Sequence, residues 1–497
     1  LSGWMYFLSN TLFMPNEILL TLIIAVPVFF SCLLPMIGQL SPKARNISAL
    51  VLAVVPFALG LLMAPSVFSG SIITFYYDFP LGLNFILKAD AFALFCALAS
   101  SLVSAVIVLY SFEYIKPYKN QNEYYFIVIL FLGSMMGIIF SANLIFLYIF
   151  WEMTALASWR LIGFFRKEDF VRRANKAFMV TAGGALLMLA GFIMIAQQAG
   201  TFDFAGIRAA IAPGTVKNAA VILILCGIFA KSATFPFHTW LADAGVAPSP
   251  VTALLHAAVL VKIGVYVYAR LFNGIIIPSE TVRTAVFVII ALSAFISGGA
   301  ALIEKDIKRI IAFSTVSQLA FIFLGFAAGS RLAFAGSMLF ILMHSTAKAG
   351  LFLSAGIIEH QTHTKDITKM GGLAKVIPVT FAAFLLCMMS IIGIPPMGGF
   401  FSKFMVITGA AEAGYAGVAA AFVIAATFTI LYMLRVFYKT FLAEPAGVFS
   451  AHASSIWSPM NLSISLLAAV SLACGLAFSG LTHIAELAAN QVLGMIK

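Results

Sequence analysis

Runs of about twenty apolar residues recur along this chain, and that repetition limits its fold more than any other feature. A helix needs roughly 20 residues to cross the hydrocarbon of a bilayer. In lipid the backbone must satisfy its own hydrogen bonds, which leaves only helices and closed barrels as spanning structures. Of the 497 residues 62% are hydrophobic and 9% charged, whereas a soluble domain carries about 25% charge. The chain therefore reads as an all-α polytopic membrane protein. The length rule predicts about fourteen transmembrane helices, over 17–40, 46–68, 91–112, 123–141, 143–165, 174–198, 217–241, 250–272, 281–303, 309–328, 331–357, 377–406, 413–440 and 457–480. The alternating, aromatic-rich interval 71–90 predicts an external hairpin, and 201–212 a short interfacial helix.

Charge in the loops sets an expected orientation. Lys43, Arg45, Lys116, Lys119, Arg166, Lys167, Arg172, Arg173, Lys176, Lys305, Lys308, Arg309, Lys365, Lys369, Lys375, Arg435 and Lys439 fall on one side. The other side holds only Lys88, Arg208, Lys217, Arg270, Arg283 and Arg331. Positive-inside reasoning places the basic loops in the cytoplasm and both termini on the outer face; a bacterial or archaeal cytoplasmic membrane is the expected setting. The net charge of +11 is spread over these short loops, so it reads as a topological signal facing anionic lipid and not as a nucleic-acid surface. Residues before Met14 are set aside as a read-through or vector remnant, because the chain starts at Leu1. Cys32, Cys96, Cys226, Cys387 and Cys474 form no CxxC pair, so no iron–sulfur or zinc site is expected. No Rossmann fingerprint or P-loop points to nucleotide or flavin.

Against this apolar background five ionisable side chains stand out: Glu152, Lys231, Lys262, Lys348 and Lys403. Each costs about 2.5–3.5 kcal/mol to hold at mid-bilayer on insertion scales, so five of them with His256 and His344 point to a charge-conducting path. Two spans are also interrupted, at Lys231-Ser-Ala-Thr-Phe-Pro236-Phe-His238 and at Gly393-Ile-Pro395-Pro396-Met-Gly398-Gly399. Proline removes a backbone donor and clashes with the preceding turn. Broken helices persist in membranes only where protein or a wet cavity re-satisfies the freed groups. Two breaks five spans apart, each beside a lysine, predict a repeated five-helix unit, spans 4–8 and 9–13, of the inverted kind used by ion transporters. The expected segments are 1–112, an N-terminal three-helix part with the hairpin; 113–273 and 274–441, the two repeats; and 442–497, a C-terminal helix and tail.

The roles follow from residue chemistry. Glu152 is either a protonated, hydrogen-bonded carboxyl or a carboxylate paired with Lys231 across a helix interface. A buried lysine changes its proton affinity readily, so Lys231 can accept and release a proton; snorkelling is the alternative. His256 and Lys262 lie about 240° apart on one helix, which predicts a relay through water and not a direct contact. His344 and Lys348 are spaced i,i+4 and share a face. A lone buried histidine is commonly a satisfied core residue; the companion lysines favour a relay here. Lys403 is either an exit group or an interfacial anchor. Metal binding is not expected, and His360 and His363 beside Lys365 read as solvated surface.

These residues carry a family resemblance. Phe150-Trp151-Glu152, Lys231 to Asp243, Ala247 to His256, His344 to Leu353 and Gly393 to Lys403 together resemble the antiporter-like membrane subunits of respiratory complex I. Relatives occur in multisubunit Na+/H+ antiporters and membrane-bound energy-converting hydrogenases. The match covers about residues 80–440. It implies 14 helices with inverted repeats, and helices 7 and 12 broken. It also implies Glu152 and Lys231 as a gating pair, Lys262 and Lys348 as links between half-channels, His256 and His344 as connectors, and Lys403 at the exit.

The function implied is that of a proton-translocating subunit of a redox-driven complex. The alternative is a subunit of a Na+/H+ antiporter, and a decayed scaffold is a third reading. Iron–sulfur, flavin, NiFe or quinone sites are expected only in partner subunits, which would be homologous antiporter-like subunits, other membrane subunits and a peripheral redox arm. Arg160 departs from the family's usual aliphatic residue; it either snorkels toward Arg166 or biases the Glu152–Lys231 equilibrium. His238 and Asp243 are further candidate modulators. An acidic residue that some relatives carry early in the sixth span has no counterpart in Ala182-Gly183-Gly184-Ala185. The long lateral helix of the largest complex I relative is not expected after the fourteenth span. The segment Glu359 to Leu373 looks closer to the complex I and hydrogenase branches than to the antiporter branch.

Overall fold

Each predicted span has a helix at its position in the computed structural model, which describes residues 15–80, 83–447 and 457–494. The segment before Met14 lies outside the described residues. Among the described residues, twelve helices are long and apolar enough to cross a membrane. They are α1 (Asn16–Leu40), α2 (Pro42–Phe68), α3 (Ala91–Tyr114), α4 (Gln121–Phe140), α5 (Leu144–Ile162) and α6 (Glu168–Ala199), then α8 (Ser249–Gly274), α9 (Glu280–Ile303), α10 (Ile307–Ala328), α11 (Arg331–Thr362), α14 (Ala416–Leu442) and α15 (Pro459–Leu476). Two shorter apolar helices, α7 (Asn218–Lys231) and α12 (Pro378–Ile392), stand where the sequence predicts interruption. Beyond the second break the chain resumes as α13 (Gly398–Glu412).

Local chemistry fixes the helix ends. Asp90, Asn143, Asp306 and Ser330 cap α3, α5, α10 and α11, each side-chain oxygen accepting from a first-turn backbone amide. Gly200 and Gly329 end α6 and α10 in the left-handed conformation. The predicted hairpin forms as β1 (Ile73–Phe79) and β2 (Leu83–Ala89), antiparallel, in register from Ile73 opposite Ala89 to Phe79 opposite Leu83. The short helix expected near 201–212 is Phe204–Ala210.

Packing sorts the helices into centre and rim. The apolar stretches of α8 and α11 are wholly buried, whereas only 28% of that of α2 is. Helix α11 is the hub; it packs against α3, α10, α12, α13 and α15. Rim helices turn apolar side chains outward, among them Met179, Leu186, Val288 and Ile424, a pattern that suits lipid and would be costly in water. The C-terminal part holds more than a helix and tail: α16 (Phe478–Leu493) follows α15 and packs on α3, α8 and α11. Its apolar positions are too few and too spaced for the spanning rule to detect.

Candidate functional site

Both breaks sit where helix-end carbonyls need donors, and aligned side chains supply them. Helix α7 ends at Lys231, and the chain turns through Ala233 with φ +51, a left-handed backbone uncommon outside glycine. The Phe235 amide donates to Ser293 Oγ at 2.7 Å, and the Trp240 indole to the Ala230 carbonyl at 3.0 Å. At the second break Gly393 takes φ +90. Lys403 Nζ reaches back to the carbonyls of Ile391 and Ile392, at 2.6 and 3.4 Å. An ammonium at a helix C-terminus also meets the negative end of the helix dipole. Lys403 is 5% exposed, so the interfacial-anchor reading is set aside.

Glu152 and Lys231 are neighbours in the field of one another, but they form no contact ion pair. Lys231 Nζ donates to the Trp151 carbonyl at 3.0 Å and lies 5.2 Å above the Trp151 ring. The same carbonyl accepts from Thr154 Oγ1 at 2.7 Å. Glu152 is half-buried with one carboxylate oxygen unpartnered. The expected side-chain pair is therefore replaced by a lysine held on the backbone of the adjacent residue. Attraction persists through space, and only part of the desolvation of either group is offset.

The remaining path residues converge further on. His344 lies within electrostatic reach of Lys262, Lys348, Lys403 and His256. Lys348 Nζ donates to the Ile311 carbonyl at 3.0 Å and to Ser314 Oγ at 2.6 Å. Lys262 Nζ donates to the His256 carbonyl at 2.8 Å, which corrects the expectation that the two residues do not touch. Helix α8 is not regular between them: residues Leu254–Ala258 form a π turn, and Val259 leaves helical geometry at φ −126, ψ −75. The 240° argument assumed an unbroken helix. Both ring nitrogens of His256 and of His344 are buried without a hydrogen-bond partner among the described residues. The His256 ring lies against Phe352, centroids 4.5 Å apart and tilted by 41°.

Three candidates fall elsewhere. Arg160 ion-pairs with Glu123 of α4, which also takes Arg166 at 2.6 Å. Sequence reasoning missed Glu123 as this partner; an acid in the first turn of an apolar helix was the available signal. Asp243 bridges Lys176 at 2.7 Å and Arg309 at 3.1 Å in a cluster at the basic-loop end, away from the lysine track. His238 is half-buried against Phe235 with Nδ1 unpartnered.

Other polar residues join the site unannounced. From Ser314 the hydrogen bonds continue to the Tyr432 hydroxyl at 2.9 Å, and Gln318 Nε2 donates to Thr429 Oγ1 at 3.0 Å. Ser314, Ser317 and Gln318, at i, i+3 and i+4 in the mainly apolar part of α10, were a legible polar stripe. Two residues assigned to loops are in fact buried. Lys308 is 1% exposed and pairs with Glu359 at 2.6 Å. Arg270 holds Asp90 through both terminal nitrogens at 2.5 and 2.8 Å. At the basic-loop end a cavity of about 550 Å³ is lined by Tyr114, Lys308, Glu359, His360 and Lys365. His360, read as solvated, stacks on Tyr114 at 4.6 Å.

With this geometry in view, three comparisons bear on the chain. Residues 141–429 match the family profile described as NADH:quinone oxidoreductase/Mrp antiporter, TM. The chain is 38% identical over 396 residues to a Na(+)/H(+) antiporter subunit of Alkalihalophilus pseudofirmus, covering 73% of this chain and 49% of that protein. It is 33% identical over 445 residues to a probable K(+)/H(+) antiporter subunit of Rhizobium meliloti, covering 86% and 44%. The chain thus spans about half the length of these curated relatives. Both belong to antiporters, not to the branches that the Glu359–Leu373 segment favoured.

In fold, the chain is similar to one in the structure of the Mrp complex from Dietzia sp. DQ12-45-1b, with TM-score 0.87, 23% identity and coverage of 97% and 98%. A chain of the membrane-bound sulfane sulfur reductase, an archaeal respiratory membrane complex, gives TM-score 0.87 at 21% identity, covering 95% and 97%. A match across more than half of the sequence, with relatives above 30% identity, decides the question of kinship: the chain belongs to the NADH:quinone oxidoreductase/Mrp antiporter membrane-subunit family.

Proposed function

We propose that the chain is a proton-translocating membrane subunit of a multisubunit complex. Its path runs from Glu152 and Lys231 through His256, Lys262, His344 and Lys348 to Lys403. One observation carries this reading: Lys231, Lys262, Lys348 and Lys403 are all buried, and each ammonium rests on carbonyls or hydroxyls and not on a carboxylate. A lysine held by neutral acceptors can give up its proton without stranding a buried counter-charge, whereas breaking a buried ion pair would strand one. The partnerless histidine nitrogens offer places for water to bridge the lysines.

The energy scale suits the task. Moving one charge against 100 mV costs about 2.3 kcal/mol, and a change of two units in proton affinity is worth about 2.7 kcal/mol. A shift in the field at Glu152 would therefore suffice to push a proton from Lys231 toward Lys262. Positive-inside reasoning puts the basic loops in the cytoplasm and both termini outside.

The names of the sequence relatives favour a cation/proton antiporter as the host assembly, with homologous and smaller membrane subunits as partners. Sodium or potassium would then cross elsewhere, because hard cations prefer oxygen ligands and this track is lined by lysine and histidine. The redox-driven reading rests on the fold shared with a chain of an archaeal respiratory membrane complex; in that case the redox cofactors would lie in partner subunits. Lys231→Ala in the assembled complex, measured as proton movement in everted vesicles, tests the path; wild-type transport by a fully assembled variant refutes it. Driving the vesicles with a Na+ or K+ gradient, or with an electron donor, separates the two hosts.

A further inference from the structure

The hairpin end of the molecule holds a cavity of about 390 Å³, formed by β1, β2, the Phe204–Ala210 helix, the ends of α4 and α8, and α16. Ile86, Ile139 and Ile275 contribute to an apolar wall; Lys88, Arg208, Arg270 and Asp90 supply the charge. The balance is uneven. Asp90 already accepts from both terminal nitrogens of Arg270 and from the Ala93 amide. Lys88 Nζ stands 3.9 Å from Asp90, too far for a hydrogen bond. Arg208 makes no hydrogen bond or ion pair with the described residues. Three cations thus face one carboxylate that is already bonded to Arg270, and the rim carries two positive charges in excess.

Lys88 registers that excess. Burial lowers its pKa, Asp90 pulls it back up, and the Arg270 and Arg208 charges push it down again, leaving it below the ordinary lysine value. A bound anion would reverse this. We infer that the cavity is a binding site for the headgroup of an anionic phospholipid, its phosphate between Lys88 and Arg208 and its glycerol and upper acyl chain along the isoleucine wall. The apolar wall argues for lipid over a free anion: Ile86, Ile139 and Ile275 line one side of the cavity, and a free phosphate would leave that side empty. The two-charge excess selects against zwitterionic headgroups, whose own ammonium would meet Lys88 and Arg208. The site does not depend on the translocation reading.

The test uses the full chain, purified and delipidated, then titrated with phosphatidylglycerol, phosphatidylcholine or inorganic phosphate, with bound lipid counted by native mass spectrometry. The expected result is at least a tenfold preference for phosphatidylglycerol over phosphatidylcholine, lost in the Lys88→Gln/Arg208→Gln double variant and retained in Lys88→Arg. Ala205→Trp, which fills the cavity and keeps every charge, should weaken phosphatidylglycerol binding by a similar factor. Melting in phosphatidylcholine shows that each variant is folded. Equal retention of both lipids, or undiminished phosphatidylglycerol binding in the folded double variant or in folded Ala205→Trp, overturns the inference. Thermal protection by inorganic phosphate alone, equal to that by phosphatidylglycerol, overturns it in favour of a free-anion site.

Discussion

The Lys262 ammonium lies 2.8 Å from the carbonyl of His256, six residues earlier in the same helix. In a regular helix residues six apart point about 240° apart. The π turn at Leu254–Ala258 and the departure at Val259 make the contact possible. Lys262 also lies within electrostatic reach of His344. Lys262→Met removes the ammonium while keeping most of the side-chain bulk. Transport in vesicles should fall more than tenfold with normal assembly on native gels, and Lys262→Arg should restore only part of it.

Tyr432 extends the hydrogen bonds of Lys348 by way of Ser314. Tyr432→Phe deletes the hydroxyl and leaves the ring, so its effect isolates the polar link. We expect transport to drop roughly 3–10-fold, with a stability loss of about 1–3 kcal/mol from the buried groups left unpaired. Initial rates of vesicle acidification and thermal melting report the two effects separately.

Asp90→Asn would leave the Arg270 guanidinium buried without its carboxylate. Breaking a buried pair by removing one partner costs about 3–5 kcal/mol, whereas replacing both by apolar groups is often neutral. Thermal unfolding in detergent should place Asp90→Asn well below the parent, and Asp90→Leu/Arg270→Leu nearer to it.

At Gly264 helix α8 packs tightly against the end of α7. A Cβ there would sit 1.8 Å from Ser232 Oγ and 2.8 Å from the Ile228 carbonyl oxygen. Gly264→Ala should therefore cost about 1–3 kcal/mol through overpacking, read as a lower melting temperature. Ser232→Gly in the same chain should recover part of the loss.

The loop joining α9 to α10 gives a pH signature. Burial raises the Glu304 pKa, but bonds from Arg309 and from the Lys305 and Asp306 amides outweigh it, leaving the carboxyl below its ordinary value of 4.5. A carboxyl whose folded pKa is depressed stabilises the fold above its unfolded pKa, and that contribution is lost as pH falls through the folded value. Asp306 is shifted up, first by burial, and works in the opposite sense. Hydrogen exchange at residues 304–309 should speed up as pH drops below 4.5, after correction for the intrinsic rate. Glu304→Gln should flatten that dependence.

Much of this architecture could be read from residues, because lipid enforces a simple rule. The length of each apolar run located the helices, alternation in Ile73–Phe79 located the hairpin, and Pro236 and Pro395 located the breaks. The lysines were legible for the same reason: charge is expensive in an apolar run. What escaped the sequence was partnership across space. Nothing near Arg160 in the chain announces Glu123, 37 residues away, and Asp90 and Arg270 are separated by 180. The π turn of α8 escaped too, since Leu-Leu-His-Ala-Ala holds no proline or glycine to mark it.

The Arg270–Asp90 lock has a directional consequence. A guanidinium in a protein does not surrender its proton, and this one is gripped by a carboxylate and by the Tyr266 oxygen, two turns beyond Lys262 along α8. On the proposed path, a charge arriving at Lys262 finds the short way out at that end bolted. On that proposal the charge would have to move on toward Lys348 and Lys403 before leaving, so the molecule would act as an insulated conductor with its exit displaced from its entry, not as a straight hole.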